Sequence, residues 1–255
     1  MNNIIIETKN LTKRFPDIIA VDSISLKVKK GEIFGLLGPN GSGKTTTVRM
    51  LNKLIEPTSG DANVGGYNIH SNDVEIKRIC GLLPETPSLY GKLTVKEFLK
   101  FIGDLYNIPN KICISRISQL LNLFKLERDT QKLLENYSSG MKQKVSLCAT
   151  LIHDPEIIFL DEPTSNLDPG ETRKVKDLIR DLALKANKTI FICTHHLDIA
   201  EELCSDIGII NKGKLLIKGT PNEIIKSLNV NNLEEAYLKG LGIEKISDLL
   251  KWREE

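Results

Sequence analysis

No run of apolar residues in this chain is long enough to cross a bilayer. The longest, Ile157-Ile158-Phe159-Leu160 and the segment 189–193, fall far short of the roughly 18 to 20 residues that a span needs. Nor does an apolar core accompany the basic residues Lys9, Lys13 and Arg14 near the N-terminus, so a secretory signal is not expected. Paired cysteines are missing too. The five present, Cys80, Cys113, Cys148, Cys193 and Cys204, are odd in number, far apart and without a C-x-x-C pair. That fits neither a disulfide framework nor a zinc site, and they read as reduced core residues of a cytosolic protein. An excess of either charge is also lacking. Lys and Arg total 35 against 33 Asp and Glu, a formal net charge of +2. No field that gathers nucleic acid is implied, and no nucleic-acid partner is expected.

What the chain does have is concentrated in Gly38-Pro39-Asn40-Gly41-Ser42-Gly43-Lys44-Thr45. This fits G-x-x-x-x-G-K-[ST], in which glycines let successive backbone N–H groups converge on phosphate oxygens. The Lys reaches the terminal phosphates and the hydroxyl holds Mg2+. A chain of 255 residues meets that pattern by chance about once in a hundred. The apolar run over 33–37 reads as a buried strand and 45–54 as a helix, which gives the strand–loop–helix context. Anions are favoured at the start of such a helix. A second phosphate-facing element, Tyr137-Ser138-Ser139-Gly140-Met141, follows about a hundred residues later.

The length suits one large α/β domain or two intimate lobes. Segments 4–11 and 24–28 read as strands of an N-terminal antiparallel layer. Phe15 lies between them, and its local pattern favours ordinary core over base stacking. Turn chemistry at Pro57-Thr58-Ser59-Gly60 and Gly65-Gly66 surrounds a short strand. From about residue 84 the periodicity becomes helical. Thr94 and Glu97 form a capping box for a helix running to about Tyr106. A break at Asn107-Ile108-Pro109-Asn110 precedes predicted helices over 112–124 and 128–134, and the whole reads as an inserted helical lobe over about 84–145. β/α alternation then returns. Past Pro221, helices are predicted over 223–228, 233–241 and 246–252, a small C-terminal extension spanning 221–255.

The strand 157–160 ends in Asp161-Glu162. Such a pair alone is common strand-end solvation, but opposite a phosphate loop the two carboxylates divide labour. Asp161 holds Mg2+ and Glu162 polarises the attacking water, because phosphoryl transfer depends on positioning and charge neutralisation. A later strand over 189–193 ends at Thr194-His195-His196. A His at the mouth of the same sheet is placed to donate a hydrogen bond to a terminal phosphate, and His195 is the favoured one.

Five ordered pieces, GPNGSGKTT at 38–46, LLPE at 82–85, YSSGMKQK at 137–144, IIFLDEPTSNLD at 157–168 and TH at 194–195, resemble the ATP-binding cassette (ABC) family over residues 4–220. The resemblance implies an α/β P-loop fold for 1–220, with a mixed core sheet, the antiparallel layer and the helical lobe. It implies ATP and Mg2+ as ligands and hydrolysis of ATP to ADP and phosphate. Phe15 becomes the adenine-stacking aromatic, and Val21 and Thr46 join residues 38–45 in contacting nucleotide. Thr45, Glu85 and Asp161 fall to the metal, and Lys44, Glu85, Glu162 and His195 to catalysis. Ser138, Ser139 and Gly140 are expected to cap the γ-phosphate of ATP held by the partner's Lys44 loop in a head-to-tail dimer, with Asp168 communicating across that dimer.

Two positions depart from the commonest pattern: Glu85 stands where Gln is usual, and Ser139 where Gly is usual. With the 233–238 tail, they point to the branch that serves exporters whose membrane subunits are separate polypeptides. The expected setting is the cytoplasmic face of a membrane, beside a second ATPase subunit, identical or paralogous, and beneath permease subunits that dock near 85–92. A soluble cassette ATPase working on ribosomes or DNA is the alternative, but the chain lacks the second cassette, long coiled coil or zinc cysteines usual there. A non-hydrolysing sensor is disfavoured because Lys44, Glu162 and His195 are all present.

Overall fold

Strands with apolar residues on both faces need cover on both sides, and the chain meets that need with one sheet stacked beneath another and helices on the far side. The structure, a computed structural model, describes residues 3–242. An antiparallel sheet comprises β1 (Ile4–Phe15), β2 (Ile18–Ile24), β3 (Lys27–Lys29), β5 (Ser59–Val64) and β6 (Tyr67–Asn68), in the order β2-β1-β5-β6 with β3 also on β1. The central sheet comprises β4 (Ile33–Leu37), β7 (Cys80–Leu83), β8 (Ile157–Asp161), β9 (Thr189–Thr194), β10 (Asp206–Asn211) and β11 (Lys214–Gly219), in the order β11-β10-β4-β9-β8-β7. Its neighbours are parallel except for the β10–β11 hairpin. The helices are α1 (Lys44–Leu51), α2 (Asp73–Ile79), α3 (Val95–Leu105), α4 (Asn110–Leu123), α5 (Ser139–Leu151), α6 (Pro169–Leu184), α7 (Leu197–Leu203), α8 (Pro221–Leu228) and α9 (Leu233–Gly240).

The period of two along each strand sorts the core into two layers. Phe34, Phe159 and Phe191 point toward the antiparallel sheet and pack with Ile6, Leu11, Val28 and Val64. Ile33, Ile158, Leu160, Ile190 and Ile192 point the other way, toward α5, α6 and α7. Phe191 is at the centre, with ring centroids 5.0 Å from Phe34 and 5.5 Å from Phe159. Ile224, Leu233 and Ala236, from α8 and α9, are buried in the helix-side layer, so the described part of the C-terminal segment shares a core with the central sheet. The helix expected over 246–252 lies outside the described residues.

Several expectations need correcting. The N-terminal strands are longer than their apolar pattern suggests, and Phe15 is the last residue of β1, paired with Ile18 of β2, rather than a residue between strands. The capping box at Thr94 and Glu97 is formed as expected, with the helix ending at Leu105. The segment 128–134 is not a helix. Two 3-10 turns, Glu127–Asp129 and Leu134–Asn136, flank a stretch held by nonlocal bonds. Leu134 N donates to Leu93 O at 2.9 Å and Glu135 N to Gly91 O at 3.0 Å, and Thr94 bridges Leu133. Backbone partners across the lobe therefore outcompete local helical ones, which periodicity alone does not reveal. The lobe also has no clean edge at 145, because α5 runs through to Leu151.

The helical lobe is tied to the central sheet at His153. Its ring stacks on Tyr106, just past α3, with centroids 3.8 Å apart and planes 9° apart. Its Nε2 lies 3.0 Å from the Cys80 carbonyl of β7, so Nε2 carries the proton. Burial holds the pKa of this imidazole below its ordinary value, and the Cys80 hydrogen bond opposes that only in part. The neutral ring therefore contributes stability that is fully present above the unfolded value of about 6.5 and is lost as pH falls toward the lower folded value.

Two outcomes follow from this packing. Phe191→Ala should cost about 3–5 kcal/mol, read as a lowered denaturant midpoint; a loss below 1 kcal/mol would remove Phe191 from its central place. Melting temperatures measured from pH 8 to pH 5 should fall with acid more steeply in the wild type than in His153→Gln, and equal slopes would show that His153 titrates alike folded and unfolded.

Candidate functional site

The loop 38–43 leaves the end of β4 and turns into α1, and its shape depends on glycine at two places. A Cβ at Gly38 would sit 2.3 Å from the Ile210 carbonyl oxygen, and one at Gly43, where φ is 108°, 2.4 Å from the Ala20 carbonyl oxygen. Neither backbone oxygen can yield, so a side chain at either position would open the loop. Lys44 begins α1, and its buried ammonium donates to the carbonyl oxygens of Gly38 at 2.7 Å and Pro39 at 3.1 Å. The next residue, Thr45, donates from Oγ1 to Asp161 Oδ2 at 2.7 Å.

Asp161 closes β8 and is buried. Its pKa is raised, first by burial and then by the nearby charges of Glu85 and Glu162, against the opposing Thr45 hydrogen bond and Lys44. Its second oxygen, Oδ1, is buried with no hydrogen-bond partner among the described residues, and so is Ser42 Oγ in the loop. Buried polar atoms are normally satisfied. An orphaned carboxylate oxygen beside a threonine hydroxyl and a second carboxylate is a set of hard oxygen donors, which fits Mg2+.

Glu162 follows Asp161 with φ of 49°, a left-handed conformation that costs a non-glycine residue of order 1–3 kcal/mol. The turn is held from both sides. Glu162 N donates to Cys193 O at 2.9 Å, while Ser165 donates to Glu162 O from N at 3.1 Å and from Oγ at 2.9 Å. The result swings the carboxylate toward the end of β9. There Thr194 Oγ1 donates to Oε2 at 2.9 Å, and His195 reaches Oε1 from its backbone N at 3.1 Å and from Nδ1 at 2.7 Å. The imidazole is 45% exposed against 7% for the carboxylate, so the pair faces outward from the sheet edge.

A cavity of about 270 Å³ is lined by residues 40–46, Glu85, Asp161 and Glu162, with Ile18 and Ala20 of β2 forming one wall. Thr45, Glu85 and Asp161 also line an adjoining cavity of about 590 Å³. Lys44, Thr45, Glu85, Asp161, Glu162 and His195 are thus gathered at one end of the central sheet. Other expected residues lie outside that cavity. Phe15 is 40% exposed at the hairpin tip, with Lys13 Nζ 5.2 Å from its ring centroid. Ser138 is the N-cap of α5, its Oγ accepting from Met141 N at 3.3 Å; Ser139 is exposed beside it and Gly140 partly so. Asp168 caps α6, accepting from Glu171 N at 2.9 Å.

Val21 is a correction. Its side chain is fully buried between the sheets and offers no surface to a ligand; the neighbouring β2 residues Ile18 and Ala20 take the cavity wall instead. Strand alternation is the reason, since in β2 residues 18 and 20 share a face that 21 does not. Sequence reasoning also missed the hold that Thr194 has on Glu162. The signal was available in the hydroxyl directly preceding His195.

With this geometry in place, the comparisons with known proteins are consistent among themselves. The family described as "ABC transporter" matches residues 21–165. The chain is 41% identical over 230 residues to the bacitracin transport ATP-binding protein BcrA of Bacillus licheniformis, covering 90% of this chain and 74% of that protein. It is 33% identical over 246 residues to the Nod factor export ATP-binding protein I of Cupriavidus metallidurans, covering 96% of this chain and 80% of that protein. Among solved structures it superposes on the dimeric, post-hydrolysis ATP-binding cassette MJ0796 bound to ADP and Pi with a TM-score of 0.78 and 25% identity, over 84% of this chain and 98% of that one. The matches and the phosphate loop facing Asp161 and Glu162 agree: the chain belongs to the ABC transporter family, as an ATP-binding subunit that hydrolyses ATP.

Proposed function

We propose that this chain energises an exporter, paired head to tail with a second ATPase subunit beneath separate membrane-spanning subunits. The observation that carries the reading is the separation of the two phosphate-facing elements. The 38–45 loop and its carboxylates share one cavity, while Ser138, Ser139 and the start of α5 are exposed outside it. An exposed helix N-terminus with free N–H groups favours an anion, and a second subunit's γ-phosphate is the anion a head-to-tail dimer delivers. Asp168, at the start of α6, then lies toward the same interface. The similarity to transport and export ATP-binding proteins supports export as the direction.

In this reading backbone N–H groups among residues 40–46 and the Lys44 ammonium bind the β- and γ-phosphates, releasing Lys44 from the Gly38 and Pro39 carbonyls. Phe15, at the hairpin tip, stacks on adenine. Thr45 and Asp161 would hold Mg2+, with Glu85 beside them, and bound there it would supply neutralisation of phosphate charge. Glu162 accepts a proton from the attacking water as the new O–P bond forms and the β–γ bridging P–O bond breaks, leaving ADP and phosphate. Thr194 and His195 aim the Glu162 carboxylate, and His195 is also placed to sense the γ-phosphate.

Loss of phosphate removes the link between subunits and opens the dimer. The receiving surface for the membrane subunits is the groove between lobe and sheet, a cavity of about 290 Å³ lined in part by Leu54, Leu89, Phe98, Ile102 and Tyr106. Tyr90 and Phe101 stand exposed nearby, 5.6 Å apart edge to face. Among the described residues no helix is long and apolar enough to cross a membrane.

Glu162→Gln should lower turnover by about 10²- to 10⁴-fold while ATP still binds and now traps a stable dimer on gel filtration; unchanged turnover would remove Glu162 as the base. Asp161→Asn should raise the Mg2+ concentration needed for half-maximal turnover, and an unaltered Mg2+ dependence would take Asp161 out of the metal site. Tagged Glu162→Gln protein, purified with ATP from detergent-solubilised native membranes, should bring a stoichiometric polytopic membrane protein. Ribosomal or DNA-repair components instead would overturn the exporter reading.

A further inference from the structure

His196 has no part in the reaction described above, yet its side chain lies against the residues that do. Its ring centroid is 4.1 Å from that of His195, the planes inclined at 35°. One donor atom from each of Glu162, His195 and His196 falls within 4.8 Å of the other two. We propose that Glu162, His195 and His196 form a binding site for a borderline-soft divalent cation of the Zn2+ class, and that filling it stops ATP hydrolysis.

The donor set is what separates this site from the one at Thr45 and Asp161. Mg2+ takes oxygen donors and dehydrates reluctantly, so hydroxyl and carboxylates suit it. Two imidazoles with one carboxylate suit Zn2+, which accepts three protein ligands and leaves a fourth position for water. Tetrahedral Zn–N and Zn–O bonds of about 2.0–2.2 Å set donor atoms roughly 3.3–3.5 Å apart, so the rings must shift, the 2.7 Å contact of His195 with Glu162 opening and donors up to 4.8 Å apart drawing in. Both His side chains can do so, because both are exposed, whereas Glu162 is fixed. Thr194 Oγ1 on Oε2 and His195 N on Oε1 hold that carboxylate in place, as outer-shell partners do for metal ligands.

The consequence follows from which atoms are used. A cation held here takes the Glu162 Oε1 lone pair and the His195 ring nitrogen, which otherwise face each other at 2.7 Å. Residues 38–45 and Lys44 are not touched, so ATP still binds while the carboxylate no longer accepts a proton from water. Inhibition rests on the assignment of Glu162 as base; metal binding does not.

The test uses the full chain and four variants, titrated with Zn2+ by calorimetry in excess Mg2+ without nucleotide, and with Co2+ by visible absorption. One Zn2+ per chain is expected, with tetrahedral Co2+ bands. His196→Ala and His195→Ala should each weaken binding at least tenfold and abolish the bands. His70→Ala, which alters an exposed His beside Asp61, should change neither. In turnover assays at fixed Mg2+ and ATP, Zn2+ should inhibit the wild type, and His196→Ala should need at least tenfold more. Absence of stoichiometric binding, or binding that survives His196→Ala unchanged, overturns the site. Binding without inhibition overturns the inhibitory role and leaves the site standing. Glu162→Gln that keeps full turnover while the wild type still binds Zn2+ refutes the base assignment and not the metal site.

Discussion

The shared parallel register of β4, β8 and β9 is the constraint from which the site follows. Leu37 stands opposite Thr194 and Asp161 opposite Cys193, so three strands end at the same level on one sheet edge. Whatever follows each strand is then brought together: the loop after Leu37, Glu162 after Asp161, and His195 after Thr194. Parallel strands require long crossovers, which is why residues far apart in sequence meet here. The three buried phenylalanines between the sheets hold the strands that set this level.

That edge accommodates two kinds of polar group under different rules. Asp161 is the last residue of a strand and remains buried, with Oδ1 unpartnered among the described residues and its pKa raised first by that burial. Glu162 lies one residue further, and its left-handed backbone takes the carboxylate out of the pleat. Adjacent residues in an ordinary strand would point to opposite faces. The strained turn instead lets both carboxylates line one cavity while only Glu162 is bonded to β9's end. Strain at this position is thus tied to geometry that an unstrained strand does not offer.

The helical lobe and the C-terminal helices are anchored to this sheet through the same buried layer. Phe98, Leu99, Ile117 and Leu121 of the lobe share a core with Leu83, Ile158 and Leu160 of the sheet, to which His153 adds a ring stack and one hydrogen bond. α8 and α9 are joined to the sheet through buried Ile224, Leu233 and Ala236, and α9 also packs on α7, the helix that His196 caps.

Much was legible in the sequence because local chemistry specified it. The glycines of 38–43, the Thr94–Glu97 capping box and the uninterrupted apolar strands ending at Asp161 and Thr194 each dictate their own conformation through sterics or short-range hydrogen bonds. Order of motifs then identified the family. What the sequence left open depended on partners distant in the chain. The segment 128–134 gave up helix for bonds to Gly91 and Leu93. Val21 went into the core and left the cavity wall to Ile18 and Ala20. Glu162, His195 and His196 came within reach of a single cation. Residue type and spacing fix what a segment prefers locally, but which face is buried and which donors converge are decided when strands pair and sheets stack, because only then does each side chain acquire its neighbours.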